Sequence, residues 1–344
     1  MQKLKLLLVE WELLITIGTF GLAQMIADLS VDMGRSEFAA VIRFVGIIIV
    51  IGVLILGFWQ RPSPLRVPLL FVEEDNSELA HTKFERLVES LRLEKSVKVI
   101  DAHAPVHRQE LVIRLDTAVR YSSKKTDWQE ALKQLIHEWD KEVDARLQRW
   151  LPAHYSGIIY HIRPNIVLPL AFGLGAAVGL RRSVILYHQA AEGAPYQVMD
   201  LTHPRVLFEE PKQPIDFEQQ PPDIRPPADK GDHLILHWIF SDRHQPDLNA
   251  HPDYSTATSV AFYHSSALPQ DDWLSYVQTL YRWAKPWVNA FKQVDICLIC
   301  PDALAFALGM AFSRSAHLRV CHWMGAQYMP VVNLSWIERR LPFD

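Results

Sequence analysis

The chain has 344 residues, enough for more than one domain, and 49% of them are hydrophobic. With 35 Lys and Arg against 39 Asp and Glu, the formal net charge of -4 gives no electrostatic ground for binding a nucleic-acid polymer. The three cysteines all fall in predicted core strands. Cys297 and Cys300, three apart in a strand, point to opposite faces, poor geometry for a metal, so all three read as small buried hydrophobes in a reducing compartment.

In chain order, residues 1–61 carry two long apolar runs, 4–27 and 38–59. The second is long enough to cross a hydrocarbon core of about 30 Å. The first is interrupted by Lys5, Glu10 and Glu12, so it either completes a transmembrane hairpin or lies in the interface beside a single span. Lys3 precedes the runs and Arg61 and Arg66 follow them, which puts both ends of a hairpin in the cytoplasm. Glu10, Glu12 and Arg43 are costly in hydrocarbon. They are expected at a membrane-assembly interface, in water or at headgroup depth.

Residues 62–68 read as a linker and 69–203 as a first α/β half. The pattern predicts a strand at 69–74, a helix at 78–91 capped by Ser77, strands at 97–101 and 110–119, and a long amphipathic helix at 127–151. Residues 157–189 then run strand, Pro164-Asn165, apolar helix, strand. Prolines crowd 204–232, which reads as an extended connector.

The second half, 233–344, opens with a strand at 233–240, matched to 110–119, followed by a strand at 259–264 and a helix at 270–291. Residues 294–324 then repeat 157–189. Pro301-Asp302 matches Pro164-Asn165, Gly309 matches Gly173 and Val320 matches Val184, with one extra residue between Pro and Gly in the first copy. Tyr196 and Tyr328 each begin a further strand. The repeat predicts an α/β fold of two pseudo-symmetric Rossmann-like halves. Gly173, Gly175 and Gly179 lie inside the helix at 166–180 rather than at a turn leaving a strand, so they read as close helix packing, not a dinucleotide fingerprint. That helix is too short for a third span.

No catalytic or metal motif survives inspection, and no cofactor is expected. In such folds ligands bind outside the carboxyl ends of strands, where helix N-termini point amides at anions. The candidates there are Arg163 and Asn165 after one strand and Asp302 after its twin, with His188 and Trp323 on the next pair. Thr117, Ser241 and Arg243 end the remaining strands, and Tyr328 opens the last. Arg163 and Arg243 suit phosphates; Tyr187, Trp323 and Tyr328 suit stacking on bases.

Strand, Pro-[Asp/Asn], apolar helix with Gly, hydrophobic strand and Tyr, twice over, resemble the SAVED domain, a fusion of two CARF-like units. The likeness runs over 67–334 and is clearest in ICPDALAFALGMAF and VCHWMGAQYMPVVNL. SAVED domains sense cyclic oligonucleotides in bacterial anti-phage defence (CBASS, and some type III CRISPR systems). With the N-terminal hairpin, the chain is similar to transmembrane-SAVED effectors. The resemblance implies a cyclic tri- or tetranucleotide ligand bound across the halves, head-to-tail homo-oligomers, disruption of the bacterial inner membrane, and no enzymatic activity. The alternative is a membrane-anchored phosphodiesterase or ring nuclease acting on the same signal.

Overall fold

The computed structural model describes residues 62–189, 193–241 and 247–337, together with Phe44, Val45, Ile47 and Ile48, which are helical. Nearly all of both predicted spans, with Glu10, Glu12 and Arg43, lies outside the described residues, as does Arg243. Among the described residues no helix is long and apolar enough to cross a membrane.

Pro64–Ala153 and Gly157–Asp344 form one compact unit. Its first sheet begins with β1 (Leu65–Glu73), a nearly continuous apolar run of the kind that fills a parallel sheet covered on both faces. β1 takes its first four residues from the predicted linker, because Leu65–Pro68 pair with Ile158–His161. α1 (Ser77–Ser90) is capped by Asn76 rather than Ser77; its side chain accepts from the amides of Glu78 and Leu79. The predicted strand at 97–101 is instead α2 (Glu94–His103). Val97 and Ile100 are its buried residues, and their spacing of three is a helical stripe.

The predicted strand at 110–119 shrinks to β2 (Val112–Leu115). Asp116 ends it by capping a 3-10 turn at Thr117–Tyr121. The long helix is present as α3 (Lys125–His137), a π-helical turn at Glu138–Asp144, and α4 (Ala145–Trp150). Asp140 and Asp144 of the π turn both hold Arg182 at 2.6 Å, and Tyr160 donates to Asp144 at 2.6 Å. β3 (Ile158–Asn165), α5 (Leu168–Val178), β4 (Ser183–His188) and β5 (Tyr196–Leu201) complete the sheet, ordered β2-β1-β3-β4-β5.

The connector is not extended throughout. It contains a 3-10 turn, Pro204–Phe208, and β6 (Glu218–Gln220), which pairs antiparallel with β8 (Thr258–His264). β7 (Gly231–Phe240), α6 (Trp273–Ala290), β9 (Phe291–Ile299), α7 (Asp302–Ala311), β10 (Leu318–Trp323) and β11 (Tyr328–Asn333) follow. The second sheet is ordered β11-β10-β9-β7-β8-β6. β7 is therefore the counterpart of β1, and β8 that of β2. The match of 233–240 to 110–119 is corrected: β7 has the central place beside β9 that β1 has beside β3.

The registers fix the internal equivalence. Ile162 pairs with Leu69 and Leu186; Ile296 pairs with Leu236 and Val320. Bulges follow Leu186 and Val320 alike. The spacing from Ile162 to Ile296 also separates Leu168 from Asp302, where the two helices begin, and Gly175 from Gly309. Gly175, not Gly173, is thus the twin of Gly309, and the first copy has no extra residue. The Pro164-Asn165 match fails because β3 runs on through both, opposite Phe71 and Val72.

α5 and α7 pack on each other, and each lies against the other half's sheet, α5 on β10 and β11, α7 on β3 and β4. A Cβ at Gly175 would strike the Phe306 carbonyl, and one at Gly309 the Phe172 carbonyl. This reciprocal approach is what the absent side chains permit.

Candidate functional site

Strand ends from both sheets converge on one cleft. A cavity of about 420 Å³ is walled by His237 and Ile239 of β7, Leu298–Cys300 where β9 ends, Trp323 and Tyr328 of the β10–β11 hairpin, and Leu168 of α5. Asp247 and Ala250 close one side, and the Tyr328 amide donates to the Ala250 carbonyl at 2.7 Å. A second cavity, about 590 Å³, shares Leu168, Leu298, Trp323 and Tyr328 with the first. It adds Ile166–Pro169 at the start of α5, His188 where β4 ends, Asp302 where α7 begins, and Arg120 and Tyr121 from the turn after β2. Both halves build it.

The predicted residues separate into three groups. His188, Asp302, Trp323 and Tyr328 line the cavities. His188 Nδ1 lies 3.5 Å from Asp302 Oδ1, a contact between the halves. Trp323 is 46% exposed and meets Tyr328 edge-on at 5.1 Å. Arg163 and Asn165, at the end of β3, are outside both linings, although Arg163 feels the charge of Asp302, which lines the second cavity. Burial lowers the Arg163 pKa, and the Asp302 charge opposes that shift only in part. Among the described residues the Arg163 guanidinium forms no hydrogen bond or ion pair.

Thr117 and Ser241 are outside both linings. Thr117 is held by Asp75, its hydroxyl donating at 2.6 Å and its amide at 3.1 Å. Ser241 donates its amide to the His264 carbonyl at 3.2 Å. Tyr187 is turned into the core, 2.8 Å from His161 Nδ1.

Sequence reasoning missed Arg120, Tyr121, His237 and Asp247. It stopped at Thr117, whereas the 3-10 turn carries the chain on to Arg120, whose guanidinium grips Glu73 at 2.6 and 3.0 Å. His237 did leave a signal, as the one polar residue in the run 234–240.

Behind the first cavity, Asp295 is fully buried. Burial would raise its pKa, but His251, Arg319 and His233 outweigh that and hold it at about 2. Arg319 grips both carboxylate oxygens at 2.5 Å, His233 Nε2 is at 2.9 Å and His251 Nε2 at 3.2 Å. His251, Asp295 and Cys321 bring ligand-type atoms within 4.8 Å of one another. With both carboxylate oxygens taken by Arg319 and one of them also by His233, that arrangement is a filled ion-pair network rather than an open metal site. The Asp253 amide also donates to His251 Nδ1 at 3.1 Å, which leaves the ring proton on Nε2, facing Asp295.

Two fused Rossmann-like halves, each lending its helix to the other's sheet and enclosing a shared cleft, define a SAVED/CARF-type fold. Comparison with solved structures agrees. The Acinetobacter baumannii Cap4 SAVED/CARF-domain receptor with the cyclic trinucleotide 2'3'3'-cAAA matches with a TM-score of 0.50 and 13% identity, over 87% of this chain. The chain spans 59% of that receptor's length. The same receptor with 3'3'3'-cAAA gives a TM-score of 0.48 at 13% identity, over 93% of this chain and 77% of that one. The Moraxella osloensis Cap4 receptor gives 0.46 at 11%, over 91% and 73%. No protein-family model and no curated protein matches. At these identities the likeness is one of fold.

Proposed function

We propose that the chain is an anti-phage effector of the transmembrane-SAVED kind. A cyclic tri- or tetranucleotide enters the cleft between the halves, and bound copies stack head to tail through a heterologous interface. The clustered N-terminal apolar runs then disrupt the bacterial inner membrane, with both termini and the sensor body in the cytoplasm. The chain acts as a receptor, not as an enzyme.

The observation that carries this reading is Arg163. A partly desolvated guanidinium with no hydrogen-bond partner among the described residues, within reach of the charge of the cleft residue Asp302, is poised for a phosphate. α5 opens at Leu168 in the wall of that cleft, and the positive end of its dipole favours the same charge. Exposed Trp323 supplies a face for a base.

Reconstitution of the full-length chain in dye-loaded vesicles tests the coupling of ligand to membrane. Dye release is expected only after a cyclic oligonucleotide is added. A Glu10→Gln, Glu12→Gln double variant should still bind nucleotide but release less. Release that ignores the nucleotide, or bound nucleotide without release, contradicts the proposal.

A further inference from the structure

The wall of the first cavity includes a buried side chain with one polar atom that no described residue satisfies. His237 lies in the middle of β7 and is 1% exposed, and its Nε2 has no hydrogen-bond partner. Such an atom carries an uncompensated desolvation penalty unless a ligand meets it. Burial lowers the ring's pKa from 6.5 to about 4, so it is neutral near pH 7 and offers one hydrogen bond. Asp247 lines the same cavity and acts on His237 through its charge, yet the two are not bonded. The rest of the wall is largely aliphatic and aromatic: Leu168, Ile239, Ala250, Leu298, Trp323 and Tyr328.

The other half has no equivalent. By register, Leu69 is the twin of Leu236, so the twin of His237 is Leu70, a fully buried leucine. The pseudo-symmetry is broken at the position where His237 lines the cavity.

We propose that this cavity reads one adenine of the ligand, with His237 Nε2 bonding a ring nitrogen and Asp247 accepting from the exocyclic amine. The inference rests on the cleft being a cyclic-oligonucleotide site. Adenine sets an amine donor beside a ring-nitrogen acceptor, whereas guanine and hypoxanthine present a carbonyl where Asp247 needs a donor. Guanine would also bring more polar groups against the aliphatic wall, where they stay unpaired. Because Leu70 stands at the twin position, only one base of the ring is discriminated in this way.

The test is calorimetry on the full-length chain with an all-adenine cyclic trinucleotide and with analogues carrying one inosine or one guanosine. The wild-type chain is expected to prefer the all-adenine ring about tenfold or more, and His237→Leu to bind it about tenfold more weakly or worse. Since Nε2 has no partner among the described residues, His237→Leu should melt at the same temperature or higher, which a structural role for His237 would not allow. Asp247→Asn, an exposed change that leaves the core untouched, should erase the preference for adenine over inosine. If no cyclic oligonucleotide binds the wild type, the reading of the whole cleft fails. If the ring binds and both variants keep wild-type affinity and preference, only the base-reading subsite fails.

Discussion

Asp295 carries a charge with no exposed surface, and its stability rests on donors from three other parts of the chain. Its pKa falls from 3.8 to about 2 in the fold. A depressed carboxylate contributes stability above its unfolded value and loses it as pH drops through the folded one. The carboxylate therefore contributes in full above about pH 4, and that contribution is lost between about pH 4 and pH 2. Asp295→Asn leaves Arg319 and His233 with a buried partner gone, and should cost about 3–5 kcal/mol at pH 7. It should also flatten the acid transition in that window. Chemical denaturation across pH measures both; an unchanged acid limb would contradict the assignment. His237, one strand away, shows the opposite residue-scale behaviour, with a neutral ring whose nitrogen has no partner.

The element that holds the halves together is the crossing of α5 and α7. Gly175→Ala or Gly309→Ala drives a methyl into a backbone carbonyl, which cannot swing away as a side chain does. Each should cost about 3 kcal/mol or more. Gly173→Ala meets the Leu132 and Val332 side chains at 3.0–3.2 Å and should cost clearly less. Thermal unfolding of the three variants decides it, and equal losses would refute the crossing. Hydrophobic pattern alone made this packing visible through Gly173 and Gly175 inside an apolar helix, whereas Gly179, read as a third, ends α5 with φ +54°. It did not make the register visible. Pro164-Asn165 resembles Pro301-Asp302, but Pro164 is a strand residue, and only the ladders show that Gly175 answers Gly309. In the same way Val97 and Ile100 suit a short strand or one face of a helix, and what α2 packs on settles the choice. The site was legible where it follows strand ends, as at His188, Asp302 and Trp323. It was hidden where a 3-10 turn or a lone strand histidine places the side chain, as at Arg120 and His237.

For the molecule as a whole, the two cavities share four residues and draw their walls from both halves. That geometry makes them one site per chain, not one per half. The duplicated architecture would otherwise suggest two equal ligands. The central claim is thus a single cyclic oligonucleotide bound between unequal halves, and titration calorimetry of the full-length chain against a panel of cyclic and linear oligonucleotides tests it most directly. The account predicts one cyclic ligand per chain, preferred over its linear form. Trp323→Ala and Arg163→Ala should each weaken it about tenfold or more. Two ligands per chain, or no heat from any member of the panel, would contradict it.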